Sequence, residues 1–309
     1  MKLCPITYQP IEQGKYSADG LRLLSPRLQD LQDFPYTQEK QKEQGLLLFN
    51  KLSIQGVQPK LSVKLNVAKK IFEIVEQFGT YIFKPQNPMF PELPENESLT
   101  MKLAASVGIQ IPVCGMIYSK DQKFTYFIKR FDRISPKHKL AVEDFAQLAG
   151  KSRETKYDYS MEKLVAIIDK YCSFPQLEKL KLFRLTIVNF LVGNEDMHLK
   201  NFSLLSRNDG VIELSPAYDL LNTTIAVPNV TEEIALPLKG KMKNLSYKLL
   251  VTYYAKERLG LHSKLIDDVL TVFQEKISHW ENLISESFLS EASKEKYLQL
   301  LDKRKEVLF

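Results

Sequence analysis

The stretch GNEDMHLKN at residues 193–201 carries the groups that decide the fold and the chemistry of this chain. An apolar helical pattern precedes it, and an apolar run follows it before a second acidic loop that contains Asp219. Phosphoryl transfer uses one carboxylate to orient the attacking hydroxyl, and an amide with a second carboxylate to hold Mg²⁺ on the phosphates. Asp196, Asn201 and Asp219 are three such groups, in that order. A solvated turn capped by its own polar side chains is the alternative that this stretch alone leaves open.

Two short apolar segments, 202–205 and 211–214, flank an Asn-Asp-Gly sequence, which is a strong hairpin signal. Such a hairpin would place Asn201 and Asp219 on its two outer flanks, where both can face one metal ion. The pattern therefore predicts a magnesium site at the base of the hairpin.

The composition is that of an ordinary globular protein, with 44% hydrophobic and 26% charged residues in a chain of 309. This length suffices for one two-lobed domain or two small domains. The net charge of +6 is too small to indicate nucleic-acid binding by itself. Three cysteines far apart predict neither a disulfide framework nor a metal site, which favours a reducing cytoplasm. Without an apolar leader or a run of about 20 apolar residues, we expect no secretion and no membrane span.

A small-residue loop at 51–60 leads into an alternating strand pattern at 61–65. Backbone N–H groups around Gly56, with Lys60 at the far edge, are suited to cover a phosphate. A plain β-turn with one glycine explains the same residues, because neither a Walker motif nor a complete kinase glycine-rich loop is present.

Two further strand patterns occupy 71–75 and 80–84, and Gly79 between them predicts a hairpin turn. Lys84 ends the second pattern, where a strand lysine can reach the α- and β-phosphates of ATP if a carboxylate holds it. Glu97 is the candidate carboxylate, but a place in the first turn of the next helix would make it a capping acid instead. The spacing leaves both roles open.

The patterns predict an α+β fold, in which five antiparallel strands and one helix form a small lobe before a larger, mostly helical lobe. We divide the chain into an N-terminal arm at 1–45, a lobe at 46–133 and a helical lobe at 134–309. A short helix is expected near 26–31. The charged last helix, at 290–309, is expected to lie at the periphery.

The helical half is predicted to begin at residues 142–148. The charged segment 151–159 is either a solvated surface loop or a segment that orders on a partner. Within the acidic loop, His198 is a candidate structural anchor, and Lys200 is a cation suited to phosphate charge.

Seven segments in this order resemble the HipA family of bacterial serine/threonine protein kinases. They are SIQGVQPK at 53–60, FK at 83–84, ENE at 95–97, RFDR at 130–133, EDFAQ at 143–147, GNEDMHLKN at 193–201 and PAYD at 216–219. The resemblance extends over residues 46–225 and depends on all seven segments together.

The resemblance implies a two-lobed protein-kinase-like fold, distantly related to the phosphoinositide kinases, that uses ATP and Mg²⁺. It implies that Asp196 is the catalytic carboxylate and that Asn201 and Asp219 are the magnesium ligands. Lys84 would bind phosphate. Ser53, also near the nucleotide, would be autophosphorylated, which adds roughly two negative charges where phosphates belong. The other residues implied in nucleotide binding are Gln55, Gly56, Val57, Gln58, Lys60, Lys129, Phe131, Gln147, His198 and Lys200.

In this family, backbone groups at Lys129 and Phe131 would face adenine. Fewer residues precede Ser53 here than in HipA. In this respect the chain resembles the short HipT kinases, in which the missing N-terminal subdomain is a separate small protein. The implied function is a cytoplasmic serine/threonine kinase toxin of a toxin–antitoxin system, with an aminoacyl-tRNA synthetase as protein substrate. The implied partners are the small antitoxin and a DNA-binding antitoxin, so that DNA contact is only indirect. An ATP-binding pseudokinase that bridges antitoxins and a lipid or small-molecule kinase are the alternatives.

Overall fold

The computed structural model describes residues 2–49, 59–135 and 137–309. The chain forms two compact units, one comprising Met1–Ser98 and Pro112–Lys139, the other Leu99–Ile111 and Leu140–Phe309. A helix that begins at Leu93 therefore contributes to both units. The lobe boundaries drawn from the sequence remain predictions.

A five-stranded antiparallel sheet is the frame of the first unit, as the alternating patterns predict. Its strands are β1 (Leu61–Asn66), β2 (Ile71–Ile74), β3 (Tyr81–Lys84), β4 (Cys114–Tyr118) and β5 (Phe124–Lys129). Their order across the sheet is β2-β1-β3-β5-β4. Phe72, Phe83 and Phe127 are fully buried together, with 4.8 Å between the first two ring centroids and 6.4 Å between the last two. This aromatic cluster stabilises the sheet by burial and by its tilted ring contacts.

The predicted hairpin between β2 and β3 is wrong, because β1 lies between them. Val63 of β1 pairs with Ile74 on one side and with Tyr81 on the other. Gly79 therefore does not turn a hairpin. A Cβ atom at this position would clash with Ser62 Oγ of β1, so the glycine permits two backbone segments to approach closely.

The N-terminal segment belongs to the core of the first unit. It carries two helices, α1 (Ala18–Leu24) and α2 (Gln38–Phe49). Residues 26–31 form one turn followed by irregular chain, so the short helix expected there is wrong. α1 begins where Ser17 Oγ accepts the N–H of Gly20, a typical N-cap. The side chains of this segment that are buried with the sheet aromatics are Cys4, Ile6, Tyr16, Leu21, Leu24, Leu28, Leu31 and Phe34.

The second unit is mostly helical, as predicted. Its helices are the end of α3 (Leu93–Ser106), then α4 (Phe145–Leu148), α5 (Met161–Tyr171), α6 (Pro175–Val192), α7 (Thr223–Ala226), a π-helix (Lys248–Arg258), α8 (Ser263–Glu286) and α9 (Glu291–Leu308). α6 is buried on most faces, with Phe183, Ile187 and Phe190 fully enclosed, which agrees with its nearly continuous apolar pattern. Across the described ranges, none of the helices combines the length and the apolar character that a membrane span requires.

The prediction that the last helix is peripheral is wrong. In α9, Tyr297 and Leu301 are fully buried, and Arg304 is 4% exposed. The Tyr297 hydroxyl lies 3.0 Å from Thr100 Oγ1 of α3. These buried residues recur at helical spacing, so α9 buries one stripe while its many charged residues cover the solvent side.

A second antiparallel sheet, in the order β6 (Ala141–Asp144), β7 (Ser203–Ser206) and β8 (Ile212–Leu214), positions the acidic loop. β7 and β8 form the predicted hairpin. Residues 142–144, predicted as helix, belong to β6 instead, and α4 begins only at Phe145. Asp144 pairs with Ser203 of β7, a contact distant in sequence that overrides the local helical pattern.

Candidate active site

Gly193 ends α6 and starts the acidic loop. Its φ of 67° is the left-handed conformation of a helix C-cap, and its N–H reaches the carbonyls of Asn189 and Phe190. Its own carbonyl accepts the N–H of Thr223 at 2.9 Å. The buried Asn194 next donates from Nδ2 to Asn189 Oδ1 at 2.9 Å. The start of the loop is thus held by both α6 and α7.

Asp196 lies at the surface of this loop, with its side chain 48% exposed. Its N–H donates to Asn194 Oδ1 at 3.3 Å, which orients the residue. The Tyr157 hydroxyl donates a hydrogen bond to Asp196 Oδ1. The carboxylate is therefore placed to accept a hydrogen bond from an incoming hydroxyl group.

Asn201 ends a single 3₁₀ turn, Leu199–Asn201. Its N–H donates to the His198 carbonyl at 2.9 Å, and its Nδ2 donates to the Asp196 carbonyl at 3.0 Å. The amide oxygen Oδ1 forms no hydrogen bond with any residue that the structure describes. The fold thus brings Asn201 and Asp196 together and leaves one amide oxygen available.

Asp219 follows β8 in a loop that is fastened to the Asn201 segment. The Ser215 N–H donates to the Ser203 carbonyl at 2.9 Å, and the Tyr218 hydroxyl donates to the Lys200 carbonyl at 3.0 Å. Asp219 itself has a φ of 55°, a left-handed conformation that is uncommon for residues other than glycine. Such a conformation is held by the surrounding contacts and recurs at functional sites.

His198 is buried beside the Asp196 carboxylate. Its Nε2 lies 4.0 Å from Asp196 Oδ1, and its ring meets the Tyr157 ring at an edge, with 5.2 Å between centroids. Burial lowers the pKa of His198 below its usual value, while the charges of Asp196 and Asp219 oppose that shift. The imidazole is therefore neutral near pH 7, and both carboxylates lie within electrostatic reach of it.

Lys200 and Gln147 belong to a network at the start of α4. Lys200 Nζ donates to Asp144 Oδ2 at 2.8 Å. Asp144 and Gln147 form a capping box, in which each side chain accepts the N–H of the other residue at 2.8 Å. Both side chains thus have structural partners near the loop, and their contact with nucleotide remains a prediction.

The oxygen donors of the loop suit magnesium. Mg²⁺ binds proteins through one or two carboxylate or amide oxygens and keeps water or phosphate oxygens as its other ligands. Asn201 Oδ1 and the Asp219 carboxylate are donors of this kind. Within the described chain, no group of three or more His, Cys, Asp or Glu side chains is arranged so that it could hold a metal ion. These two protein ligands suffice for a Mg²⁺ ion whose other ligands include the phosphate oxygens of ATP.

The first unit contains a Lys84–Glu97 ion pair, one of the two roles for Glu97 that the sequence spacing does not distinguish. Lys84 Nζ donates to Glu97 Oε1 at 2.6 Å, and both side chains are almost fully buried. Because α3 begins at Leu93 and has Glu95 in its first turn, Glu97, the fifth residue of the helix, already lies beyond that turn. The ion pair therefore accounts for Glu97 better than helix capping does. The phosphate-binding role of Lys84 remains a prediction.

The predicted phosphate cover lies mostly outside the described residues. The positions concerned are Ser53, Gln55, Gly56, Val57 and Gln58. Lys60 is described and is half-buried just before β1. At the end of β5, the Lys129 N–H donates to the Val113 carbonyl at 2.8 Å, so this N–H serves the sheet. Phe131 is half-buried in the turn that follows.

The sequence does not predict the buried network beneath the loop. The hydroxyls of Thr223 and Thr224 donate to the carboxylate of Glu195, whose side chain is 4% exposed. Nη2 of Arg304 in α9 lies 3.6 Å from Oε1 of the same carboxylate. One sequence feature points to this network. Arg304 lies within the apolar stripe of α9, at a position where helical spacing favours a buried residue.

The fold defines the class of protein. A structure of HipA from Shewanella oneidensis, solved with HipB and its operator DNA, matches this chain with a TM-score of 0.67 at 22% identity. The match covers 91% of this chain and 73% of that one. The chain therefore has the two-lobed kinase-like fold of HipA, with a small antiparallel sheet and a larger helical part.

The sequence identifies the family. A family model described as the HipA-like C-terminal domain matches residues 52–280, so the chain belongs to this family. A putative kinase of Haemophilus influenzae is 28% identical over 96% of this chain and 89% of its own length. The serine/threonine-protein kinase toxin HipA of Shewanella oneidensis is 26% identical over 74% of this chain and 56% of its own length.

Proposed function

We propose that this chain is a serine/threonine protein kinase that depends on ATP and Mg²⁺. The observation that carries the proposal is the hydrogen bond from the Tyr157 hydroxyl to Asp196 Oδ1. A kinase substrate must present its hydroxyl to the catalytic carboxylate in this way. Asn201 is tied to the Asp196 carbonyl, so the hydroxyl-binding and metal-binding groups share one loop.

Each residue has a defined role in this proposal. Asp196 orients the acceptor hydroxyl and takes its proton as the bond from its oxygen to the γ-phosphorus forms and the bond from that phosphorus to ADP, the leaving group, breaks. Asn201 Oδ1 and the Asp219 carboxylate hold the metal ion. Lys84, held in place by Glu97, compensates phosphate charge. Bound Mg-ATP supplies the phosphoryl group, and its metal ion neutralises the charge on the phosphate oxygens.

We further propose that the kinase is the toxin of a toxin–antitoxin system. The support is a relative named as the toxin HipA and a similar structure solved with HipB and operator DNA. By this likeness, the proposed partner is a DNA-binding antitoxin, with DNA contacted only through it. The synthetase substrate, the small second antitoxin and the autophosphorylation of Ser53 are proposals that rest on the sequence resemblance alone.

The test compares transfer of radiolabelled phosphate from ATP by the wild type and by Asp196→Ala, Asp219→Ala and Asp209→Ala. Asp209 lies exposed in the β7–β8 turn and pairs with Arg207, so its variant is a matched control. We expect the control to retain activity and the other two variants to lose about 100-fold or more. Transfer at the wild-type rate by Asp196→Ala or Asp219→Ala would make the assignment wrong.

Intact-mass measurement after incubation with Mg-ATP separates the alternatives. One added phosphoryl group on the peptide that contains Ser53 supports a protein kinase that modifies itself. Nucleotide binding without transfer would indicate a pseudokinase that bridges antitoxins. Transfer to lipids but not to proteins of a lysate would indicate a lipid kinase.

A further inference from the structure

A cavity of about 240 Å³ lies in the second unit, next to the proposed metal ligands. One wall consists of Lys181, Arg184 and Leu185 of α6, which share a face because they are three and four positions apart. The lining also includes residues 201–203 and 214–217, which lead into and out of the β7–β8 hairpin. The proposed phosphoryl transfer makes no use of this space.

Arg184 is a cation with no carboxylate partner in the part of the chain that the structure describes. Its Nη1 donates a long hydrogen bond of 3.4 Å to the Gly108 carbonyl, and its buried Nε has no partner among these residues. Burial lowers the pKa of the guanidinium, which reflects the cost of keeping its charge away from water. Lys181, by contrast, pairs with Glu178 and Glu213. Arg184 therefore offers a charge and a buried Nε donor that an anion in the cavity can bind.

The size of the cavity limits the ligand. About 240 Å³ exceeds the roughly 150 Å³ of a cavity that holds one benzene ring. It falls short of the roughly 300 Å³ at which ordinary ligand pockets begin, so it suits a ligand smaller than a nucleotide. Leu185, Leu214 and Pro216 supply apolar lining, while Ser203 and Ser215 supply hydroxyl groups. A single ring that carries one charged group matches both the volume and this lining.

We propose that the cavity binds a small anion made of one apolar ring and one carboxylate or phosphate group, which Arg184 receives. The cavity wall includes Asn201 and ends two residues before Asp219. A bound anion would therefore shift both metal ligands and regulate the site. The regulatory part rests on the proposed kinase function, whereas binding to the cavity does not depend on it.

The probe is 4-fluorobenzoate, titrated into the full chain and followed by fluorine NMR. The neutral 4-fluorobenzyl alcohol has nearly the same shape and is the matched ligand control. We expect the acid to bind about tenfold more tightly or better, because a charge-assisted bond to Arg184 distinguishes the two. Phenyl phosphate should displace the acid if phosphate is accepted. Saturating Mg-ATP should change the affinity for the acid by a limited factor without competing for the cavity, because coupling between two sites is reciprocal. Equal affinity for acid and alcohol, or simple competition between the acid and ATP, overturns the proposal.

Two variants test the residue assignment. Arg184→Met removes the charge and should weaken the acid about tenfold while leaving the alcohol unchanged; Arg207→Met, exposed in the β7–β8 turn, is its control. Gln110→Glu adds a carboxylate at an exposed position of the lining and should weaken the acid even if Arg184→Met does not fold. Unchanged affinity in either folded variant overturns the anion site. Bound acid that leaves the Mg²⁺ dependence of phosphoryl transfer unchanged overturns only the regulatory part.

Discussion

Nη2 of Arg304 lies 3.6 Å from Oε1 of Glu195 within the second unit, and these side chains are 5% and 4% exposed. Glu195 directly precedes Asp196, while Arg304 belongs to α9, the last helix of the chain. The guanidinium also lies over the Phe190 ring of α6, 4.7 Å from its centroid. The last helix therefore supports the loop that carries the proposed catalytic carboxylate.

Arg304→Met should lower the free energy of unfolding by about 2–4 kcal/mol, because it removes the cation next to a buried carboxylate. Denaturant unfolding measures this change. Lys303→Met alters an exposed neighbour on the same helix and should change stability by less than about 0.5 kcal/mol. Equal losses in the two variants would contradict a specific role for the Arg304 charge.

The loss in Arg304→Met should also depend on pH. Burial raises the pKa of Glu195, and Arg304 opposes that rise. Without Arg304 the folded-state pKa rises further above the unfolded value, so proton binding favours the folded state as the pH falls. The deficit should be full near neutral pH and shrink on acidification, as unfolding curves across that range would show. A deficit that is constant with pH would mean that the Glu195 charge is not involved.

Lys84→Met should lower the free energy of unfolding by about 2–4 kcal/mol, because it leaves the buried Glu97 without its cation. The double variant Lys84→Met/Glu97→Leu should recover most of that stability, yet it should still fail to transfer phosphate. Lys64→Met, an exposed lysine of β1, is the control for both measurements. Recovery of transfer in the double variant would limit Lys84 to a structural role.

Tyr157→Phe should increase phosphoryl transfer about threefold to tenfold, because the tyrosine hydroxyl occupies the Asp196 oxygen that a substrate hydroxyl needs. The KM for ATP should not change. Steady-state rates with ATP and an added protein substrate give both values, and Tyr159→Phe in the same segment is the control. A lower rate in Tyr157→Phe would mean that the tyrosine orients the carboxylate instead of blocking it.

His198 should make stability fall on acidification. Its folded-state pKa is lowered by burial, whereas the unfolded value is about 6.5. Between these two values the unfolded state binds the proton and the folded state does not, so stability is lost as the pH falls below about 6.5. His198→Gln should flatten this part of the pH profile in denaturant unfolding. The exposed His279→Gln should leave the profile as it is in the wild type.

Gly193→Ala should lower the free energy of unfolding by about 2 kcal/mol or more. A Cβ at this position would clash with Leu300 of α9 and with Thr224, and the left-handed φ is unfavourable for alanine. Gly210→Ala isolates the backbone cost, because its φ is 82° and open space surrounds it. We expect about 1 kcal/mol for this control in thermal or denaturant unfolding. Similar losses in both variants would show that the packing of α9 on the loop contributes little.

The strands of the large sheet and the β7–β8 hairpin follow from local signals, namely alternation at period two and an Asn-Asp-Gly turn. The pairing of those strands with one another does not follow from local signals. β2 pairs with β1 instead of β3, and residues 142–144 join β7 as a strand, because backbone hydrogen bonds between distant segments override local pattern. The N-terminal segment was likewise unpredictable as core, since its apolar residues have no long regular period.

By itself, the sequence determined the chemical groups of the candidate site and their order, Asp196, Asn201 and Asp219, because residue type and short spacing are enough to specify a loop of oxygen donors. Only the tertiary structure decided that Tyr157 caps Asp196 and that Arg304 supports Glu195. Both contacts join segments far apart in the chain. Their approach is set by the packing of distant segments in the second unit. The local sequence marks Arg304 as a core position of its helix, but it does not specify the partner of either side chain.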